Sequence, residues 1–296
     1  MSYILLTGSS GLLGSSIVRY LEKKNIKIAT ISNNKTNKKS HYVNFSSEKS
    51  ISKFIDRYGV PKLFIHSGWG KMSEPNSEYH INENVQNSKK LLNTFVKKGL
   101  KKFLFIGTIN EYGKKKGSVK ETDKSNSKLR NYEKGKIKFA KYAIQLSKNN
   151  NFTYIHIRLA NLFGPFQKKG SLIDCIHDAY KNKKILKVSS LDFYRDYLYS
   201  DEAALGIYKI YLKAKKSLII NLGSGSYIYM RDFVILYWKI IGGDKNKLIM
   251  ENVAKSSISK KERYNLNIKL LKRITKWKPK NSIVNSIKKN IEYENV

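Results

Sequence analysis

Apolar and polar positions follow two alternating rhythms along the first half of the chain. Tyr3 to Thr7 is a short apolar run, and Leu12, Leu13, Ile17, Val18 and Leu21 then recur at helical spacing, which predicts a strand and a helix over Leu12–Lys24. Alternation predicts a second strand at Ile26–Ile31, a polar loop through Ser40, a short strand near Tyr42–Phe45 and a helix over Ser47–Arg57. Strands at Leu63–His66, Phe103–Ile106 and Tyr154–Ile157 are separated by helices at Asn82–Lys98 and Tyr132–Lys148. Strands joined through helices imply right-handed crossovers and a parallel sheet, so the expected fold is doubly wound α/β of the Rossmann type.

After Pro165 the rhythm changes. Helical patterns at Leu172–Asn182, Asp201–Lys213 and Tyr229–Ile241 are split by strand-like pieces at Ile185–Val188 and Leu218–Asn221, and Ser282–Tyr293 reads as one amphipathic helix. Residues 1–164 are therefore expected to form the dinucleotide-binding domain, with later returns near 185–221. Residues 165–296 are expected to form mainly a smaller substrate-binding lobe, with a cleft between the two.

Composition sharpens this picture. Among 296 residues, 58 Lys and Arg face 22 Asp and Glu, a formal charge of +36, yet 41% hydrophobic and 12% aromatic content excludes a disordered chain. No apolar run is long enough to span a bilayer, and the start meets Gly and Ser within ten residues rather than forming a signal peptide. The single cysteine, Cys175, excludes internal disulfides and fits a reducing compartment. It falls on what reads as an apolar helix face. A cytoplasmic protein is expected. The charge invites a nucleic-acid reading, but only eight basic residues are Arg and the Lys are scattered through every segment. Base readers and phosphate clamps favour Arg and concentrate it on one face. No specific nucleic-acid partner is expected; the charge instead helps draw in an anionic substrate.

Thr7-Gly8-Ser9-Ser10-Gly11-Leu12-Leu13-Gly14 stands between the first strand and the first helix. In that context Gly8 permits the turn, Gly11 lets backbone approach a pyrophosphate, and Gly14 lets helix and strand pack closely. Ser10 and Leu12 join these glycines as candidate cofactor contacts. An acidic residue at the end of the second strand would hold the ribose hydroxyls of NAD, but that position is Ser32, followed by Asn33, Asn34 and Lys35. No Asp or Glu occurs between Glu22 and Glu48. These residues favour the 2′-phosphate of NADP(H), with NAD(H) possible if the loop is merely exposed.

Tyr-x-x-x-Lys places a phenol and an ammonium on one helix face. With 20 Tyr and a Lys-rich composition the pattern recurs by chance, and six copies occur, at Tyr20, Tyr58, Tyr112, Tyr132, Tyr180 and Tyr211. Position selects Tyr132 with Lys136, which open the helix after the strand ending in Phe105-Ile106-Gly107-Thr108. Carboxyl edges of parallel sheets are where such sites form. Thr108 offers a hydroxyl to a substrate carbonyl, and the neighbouring cation is expected to shift the phenol down from its ordinary value near 10.

These residues together resemble the extended short-chain dehydrogenases, the NAD-dependent epimerase/dehydratase group acting on sugar nucleotides. Besides the glycine loop and Tyr132-Glu133-Lys134-Gly135-Lys136, the resemblance rests on Phe105 through Gly113 and on Arg158-Leu159-Ala160-Asn161-Leu162-Phe163-Gly164-Pro165. Arg195-Asp196-Tyr197-Leu198-Tyr199-Ser200-Asp201 and Trp277-Lys278-Pro279 complete it. It implies Tyr132 as general acid/base, Lys136 as the ribose-holding cation and Thr108 on the reacting sugar oxygen. His66, Ser67, Gly68 and Leu159 would line the cofactor, with Asn44 and Phe45 flanking its adenine. Trp69, Asn161, Arg195 and Arg263 would meet the sugar nucleotide, and a homodimer would pair the helices at Asn82–Lys98 and Tyr132–Lys148. Bland readings stand beside these: His66 as a packed side chain, Trp69 as lobe packing, Arg158 as structural and Cys175 as inert. No metal site is expected.

The family's dehydratases place Asp-Glu directly after the catalytic Thr, where this chain has Ile109 and Asn110. Neither titrates, which argues against dehydration unless Glu111, one position on, takes the role. The missing acid at Ser32 favours a reductase that exchanges NADPH, and the pattern is similar to CDP-abequose synthase and related 4-keto-6-deoxyhexose nucleotide reductases. An epimerase with captive NAD is the alternative. A dinucleotide-binding sensor or nucleic-acid-associated protein is a second one, disfavoured by the intact Thr108, Tyr132 and Lys136.

Overall fold

A computed structural model describes residues 2–125, 128–189, 191–251 and 263–295. The first half runs β1 (Ile4–Thr7), α1 (Leu12–Lys23), β2 (Ile28–Ser32), β3 (His41–Tyr42), α2 (Glu48–Tyr58), β4 (Leu63–His66), α3 (Glu83–Lys97) and β5 (Lys102–Ile106). It continues with β6 (Gly117–Val119), α4 (Asn131–Asn149), β7 (Thr153–Leu159) and β8 (Asn161–Phe163). Then come α5 (Leu172–Lys181), β9 (Leu186–Val188), β10 (Tyr194–Arg195), β11 (Tyr197–Tyr199), α6 (Ser200–Lys213), β12 (Leu218–Leu222), β13 (Ile228–Tyr229) and α7 (Met230–Ile240). The last elements are β14 (Leu248–Met250), β15 (Tyr264–Leu266), α8 (Lys269–Thr275) and α9 (Ile283–Glu294).

Seven parallel strands form one sheet in the order β12-β7-β5-β4-β1-β2-β3. The chain winds outward from β1 to β3, then returns to β4 on the other side of β1, so the strand order reverses between β1 and β4. Ligand crevices open at the carboxyl edge of such a reversal. Both sheet faces are covered, which is why the strands read as nearly unbroken apolar runs. Ile4 and Leu6 point into a core shared with α1 and α6. Tyr3 and Leu5 point the other way, into a core of Phe64, Phe95, Phe103 and Phe139 against α2, α3 and α4. The tail motif seals the first of these cores. Trp277 is buried against α6, where a side chain on Gly206 would meet its ring at 2.8 Å.

A third core belongs to the second half: Phe163, Ile173, Ile176, Tyr199, Phe233, Tyr237 and Ile287 pack together away from the sheet. The halves are stitched at α1, where Ser16 Oγ donates to Ser200 Oγ at 2.8 Å and Arg19 pairs with Asp201 at 2.5 Å. The alternation places β12 in the main sheet although it follows α6, and Ser282 caps the tail helix by accepting from Asn285 N. One expectation fails on α5. Cys175 is exposed, because Ile173, Ile176, His177 and Ala179 take the inward stripe and leave position 175 on the opposite side. Among the described residues no helix is long and apolar enough to cross a membrane, and no cluster of His, Cys, Asp and Glu is arranged to hold a metal.

Candidate active site

A cavity of about 600 Å³ lies at the strand-order reversal. Its first wall is backbone. Gly8 turns β1 into α1 at φ +77°, and a Cβ there would meet Gly68 N at 2.7 Å. A Cβ on Gly14 would stand 1.9 Å from the Gly8 carbonyl oxygen, whereas one on Gly11 would meet nothing closer than 3.5 Å. Gly14 is therefore needed for internal packing, and Gly11 for open space on the cavity side. The first-turn N–H groups of a helix lack intrahelical acceptors, and Gly11 has no side chain to cap them, so α1 offers its positive end to the cavity. Ser10, Leu12, Ser67, Gly68 and Leu159 line the same space.

His66 is not on that wall but behind it. It is buried, with Nδ1 2.8 Å from Thr7 Oγ1 and Nε2 2.9 Å from Ser88 Oγ. Thr7 Oγ1 accepts from Gly68 N, and Ser88 Oγ donates to Asn84 O, so the relay runs Gly68 to Thr7 to His66 to Ser88 with Nε2 carrying the hydrogen. Burial, with Lys136 adding to it, pushes the imidazole down to about 3, so His66 is neutral at physiological pH.

The second wall is made of side chains. Lys136 is buried and donates from Nζ to Ile106 O at 2.7 Å. Its ammonium sits 4.8 Å from the Trp69 ring centre, 5.1 Å from Phe105 and 5.5 Å from Tyr132, a cage that supplies cation–π attraction in place of water. Burial lowers its pKa to about 8, against an opposing pull from Glu111. Trp69 is held by an Nε1 hydrogen bond to His80 Nδ1 at 3.0 Å, and the His80 ring meets Tyr132 edge-on. Gly135, between Tyr132 and Lys136, permits this approach, since a Cβ there would lie 2.2 Å from His80 O. The half-buried Tyr132 turns its hydroxyl toward the Thr108 side chain, and its backbone N–H donates to Pro75 O at 2.9 Å.

The phenol departs from expectation. Burial raises the Tyr132 pKa, with Glu111 and Glu133 reinforcing the rise against Thr108 and Arg130. The lysine was expected to draw it down, but the Nζ group is turned to Ile106 O. Tyr132 therefore holds its proton at neutral pH. Glu111 is also settled. Its side chain is fully buried between His156 and Arg158 and is not among the residues lining the cavity. Thr108 and Asn110 reach the cavity, while Ile109 is buried.

Several anticipated residues lie elsewhere. Ser32 Oγ accepts from Asn34 N, Asn34 Oδ1 accepts from Thr36, and Lys35 stands over the Tyr42 ring, all at the carboxyl end of β2 beside the cavity wall. Asn33 Oδ1 accepts from Phe45 N, and Asn44 Oδ1 caps Ser46, which ties the loops after β2 and β3 together. Ser9 Oγ lies 2.8 Å from Ser40 Oγ and joins that loop to the glycine turn. Asn161 lines the cavity and donates its side-chain amide to Asp196 O. Arg195 stacks on Phe193 and Arg263 on Tyr194, outside the cavity lining. Arg158 faces Glu111 and Glu121 O. Three lining side chains carry no signal in the sequence reading: Met72, Pro75 and Arg130, the last clamped by Glu133 at the start of α4. The Glu three residues on is the half of a capping box that shows in sequence, but Arg is no ordinary cap residue.

A model of the NAD dependent epimerase/dehydratase family matches residues 4–223. Among solved structures, UDP-glucose 4-epimerase from the hyperthermophilic eubacterium Thermotoga maritima superposes with a TM-score of 0.82 at 21% identity, covering 99% of this chain and 98% of its own. For dTDP-glucose 4,6-dehydratase from Bacillus anthracis the values are 0.81 and 17%, over 100% and 97%. UDP-N-acetylglucosamine 4-epimerase from Bacillus cereus gives 0.82 and 15%, over 100% and 98%. At these identities the likeness establishes the fold.

Proposed function

Because the chain belongs to the NAD dependent epimerase/dehydratase family, we propose that it is an NADPH-dependent reductase of a 4-keto-6-deoxy sugar nucleotide. The observation that carries this reading is the edge beside the cofactor cradle, where Ser32, Asn33, Asn34, Lys35 and Asn44 stand without a carboxylate. A 2′-phosphate is better accommodated there than bare ribose hydroxyls. The buried, engaged Glu111 and the non-titrating Ile109 and Asn110 speak against water elimination.

The cradle fits a dinucleotide. The open face at Gly11 and the uncapped first turn of α1 suit a pyrophosphate, and Lys136 in its aromatic cage suits the nicotinamide ribose. When bound, NADPH supplies a hydride to C4 of the sugar. Thr108 donates a hydrogen bond to the C4 oxygen, and Tyr132, which burial keeps protonated, delivers the proton that completes the hydroxyl. Lys136 holds positive charge beside the phenolate as it forms. The second half, from residue 165, would hold the sugar nucleotide, with Asn161, Arg195 and Arg263 as its contacts. Pairing of two copies through α3 and α4 belongs to the same reading.

The test begins with freshly purified protein. Nucleotide released by denaturation is identified, and NADPH and NADH are titrated by fluorescence before 4-keto-6-deoxy sugar nucleotides are offered. Loose binding with NADPH preferred at least about tenfold is expected. Tyr132→Phe should lose turnover by about 100-fold or more with NADPH affinity intact. A stoichiometric NAD that survives dialysis would replace this reading with the epimerase, which the same Thr108, Tyr132 and Lys136 would serve. A cellular effect indifferent to Tyr132→Phe would point to a sensor.

A further inference from the structure

We propose that Glu111 is a positioning residue of this reaction: a carboxylate clamped by His156 and Arg158 that grips the Thr108 backbone and sets the Thr108 hydroxyl against Tyr132. The proposal rests on the reading that Thr108 and Tyr132 act on one substrate oxygen. Glu111 Oε1 accepts from Thr108 N at 2.8 Å and lies 3.2 Å from His156 Nε2, while Oε2 accepts from Arg158 Nε at 3.2 Å. Thr108 is held from a second side, its Oγ1 accepting from Asn110 N at 3.3 Å. The threonine thus caps a four-residue turn whose last acceptor is the buried acid.

The arrangement is costly for a mere turn. A side chain with 0% exposure loses several kcal/mol of hydration when ionised, and a buried ion pair seldom repays that in stability. A neutral residue would close the same turn more cheaply. Room for the carboxylate is made by Gly107, where a Cβ would lie 2.3 Å from both Glu111 Oε1 and His156 Nε2. His156 makes its side-chain contact with Glu111 while its own Nδ1 is buried without a partner. Arg158 extends the clamp by stacking 4.5 Å over Tyr112, whose hydroxyl donates to Asn221 Oδ1 on β12 at 2.6 Å. Thr108 is therefore anchored to β7 and β12 through one charged group, and the anchor lies on the side away from substrate.

A carboxylate used in this way should appear in kcat and act through Thr108. Glu111→Gln is expected to lower kcat by about tenfold or more, the scale on which small misplacements act, with KM and NADPH affinity within about twofold. Introduced into a Thr108→Ala background, the same change should cost less than about threefold, because the group it positions is already gone. Losses that multiply in full would overturn the proposal, as would an unchanged kcat. If Glu111→Gln fails to fold, His156→Phe, which removes one donor to Glu111 while keeping a ring of similar size, carries the same cycle. A substrate-free arm separates this proposal from the reading of the reaction. In the NADPH complex the Thr108 amide proton should resonate far downfield, as a donor to a charged acceptor, and move upfield in Glu111→Gln. A wild-type protein inert toward every sugar nucleotide offered would defeat the reaction, and the grip of Glu111 would then stand or fall on that resonance.

Discussion

The two walls of the cavity are built from opposite materials. The β1–α1–β4 wall presents glycine backbone, helix N–H groups and, behind them, a histidine kept neutral by burial. The β5–α4 wall buries Lys136, Glu111 and Glu133, each tied to a partner, and the half-buried Arg158 of β7 backs it. A backbone wall gains specificity from the absence of atoms, so it tolerates no added carbon where packing is tight. A charged wall gains it from groups that are costly to bury, so it tolerates changes of shape better than changes of charge. The first suits a ligand that arrives with its own negative charge, and the second suits a reaction in which a proton must move.

The sharpest break of this contrast is between two glycines three residues apart. Gly14→Ala would place a carbon 1.9 Å from the Gly8 carbonyl oxygen, where the atoms it meets are all Gly8–Ser9 backbone and cannot yield. Loss of folded protein, or a fall of roughly 3 kcal/mol or more in stability, is expected. Gly11→Ala meets only ordinary contact at 3.5 Å. Its melting temperature should fall by no more than about four degrees, as a Gly-to-Ala change at an N-cap costing about 1 kcal/mol implies, while dinucleotide affinity falls at least about tenfold. Thermal melts and fluorescence titration on the two variants check this. Equal losses of stability would mean that Gly11, too, serves packing.

On the charged wall the expected sign is reversed. Lys136 has its pKa lowered from an ordinary 10.5 to about 8, chiefly by burial. The folded state therefore binds this proton less readily than the unfolded chain, and stability from this group is complete above pH 10.5 and lost as pH falls through 8. At pH 7 the penalty is on the order of 3 kcal/mol. Lys136→Met fills similar volume without charge. It should raise the melting temperature at pH 7 by several degrees while abolishing turnover, and the gain should shrink toward pH 10. A destabilised variant would show that the hydrogen bond to Ile106 O and the aromatic cage outweigh the cost of burying the ammonium.

The same difference in materials explains what was readable in the sequence. Gly8, Gly11 and Gly14 announce the first wall because strand, turn and helix lie within a dozen residues and the requirement for glycine is local. Tyr132 and Lys136 were readable only through their place after β5, since five other copies of the spacing lie elsewhere. Glu111 was visible as a residue but not as an anchor, because its partners His156 and Arg158 arrive from β7, some 45 positions on. Pairings of that range leave no periodicity to read. The two- and three-residue strands β6, β8, β10, β11, β13, β14 and β15 were missed for a related reason, being too short to alternate. Cys175 shows the limit of periodicity itself: the neighbouring Ile173 and Ile176 made its face look apolar, and a rotation of about 100° per residue places it outside.

Acid provides the mildest test, because it puts charge into the wall that has none. His66 accepts from Thr7 at Nδ1 and donates to Ser88 at Nε2, and burial lowers its pKa from 6.5 to about 3. The unfolded chain takes up a proton below pH 6.5 that the folded chain refuses. Stability from this group is therefore complete above pH 6.5 and lost as pH falls toward 3, at roughly 1 kcal/mol per pH unit. His66→Gln keeps an acceptor for Thr7 and a donor for Ser88 without a group that titrates. Urea midpoints measured between pH 7 and pH 5 should fall less steeply in the variant than in the parent. Because the relay ends on Gly68 N, dinucleotide affinity should follow the same course, weakening with acid in the parent more than in the variant. Parallel pH slopes would place the acid sensitivity in the carboxylates of the other wall, and the neutral histidine would then be packing alone.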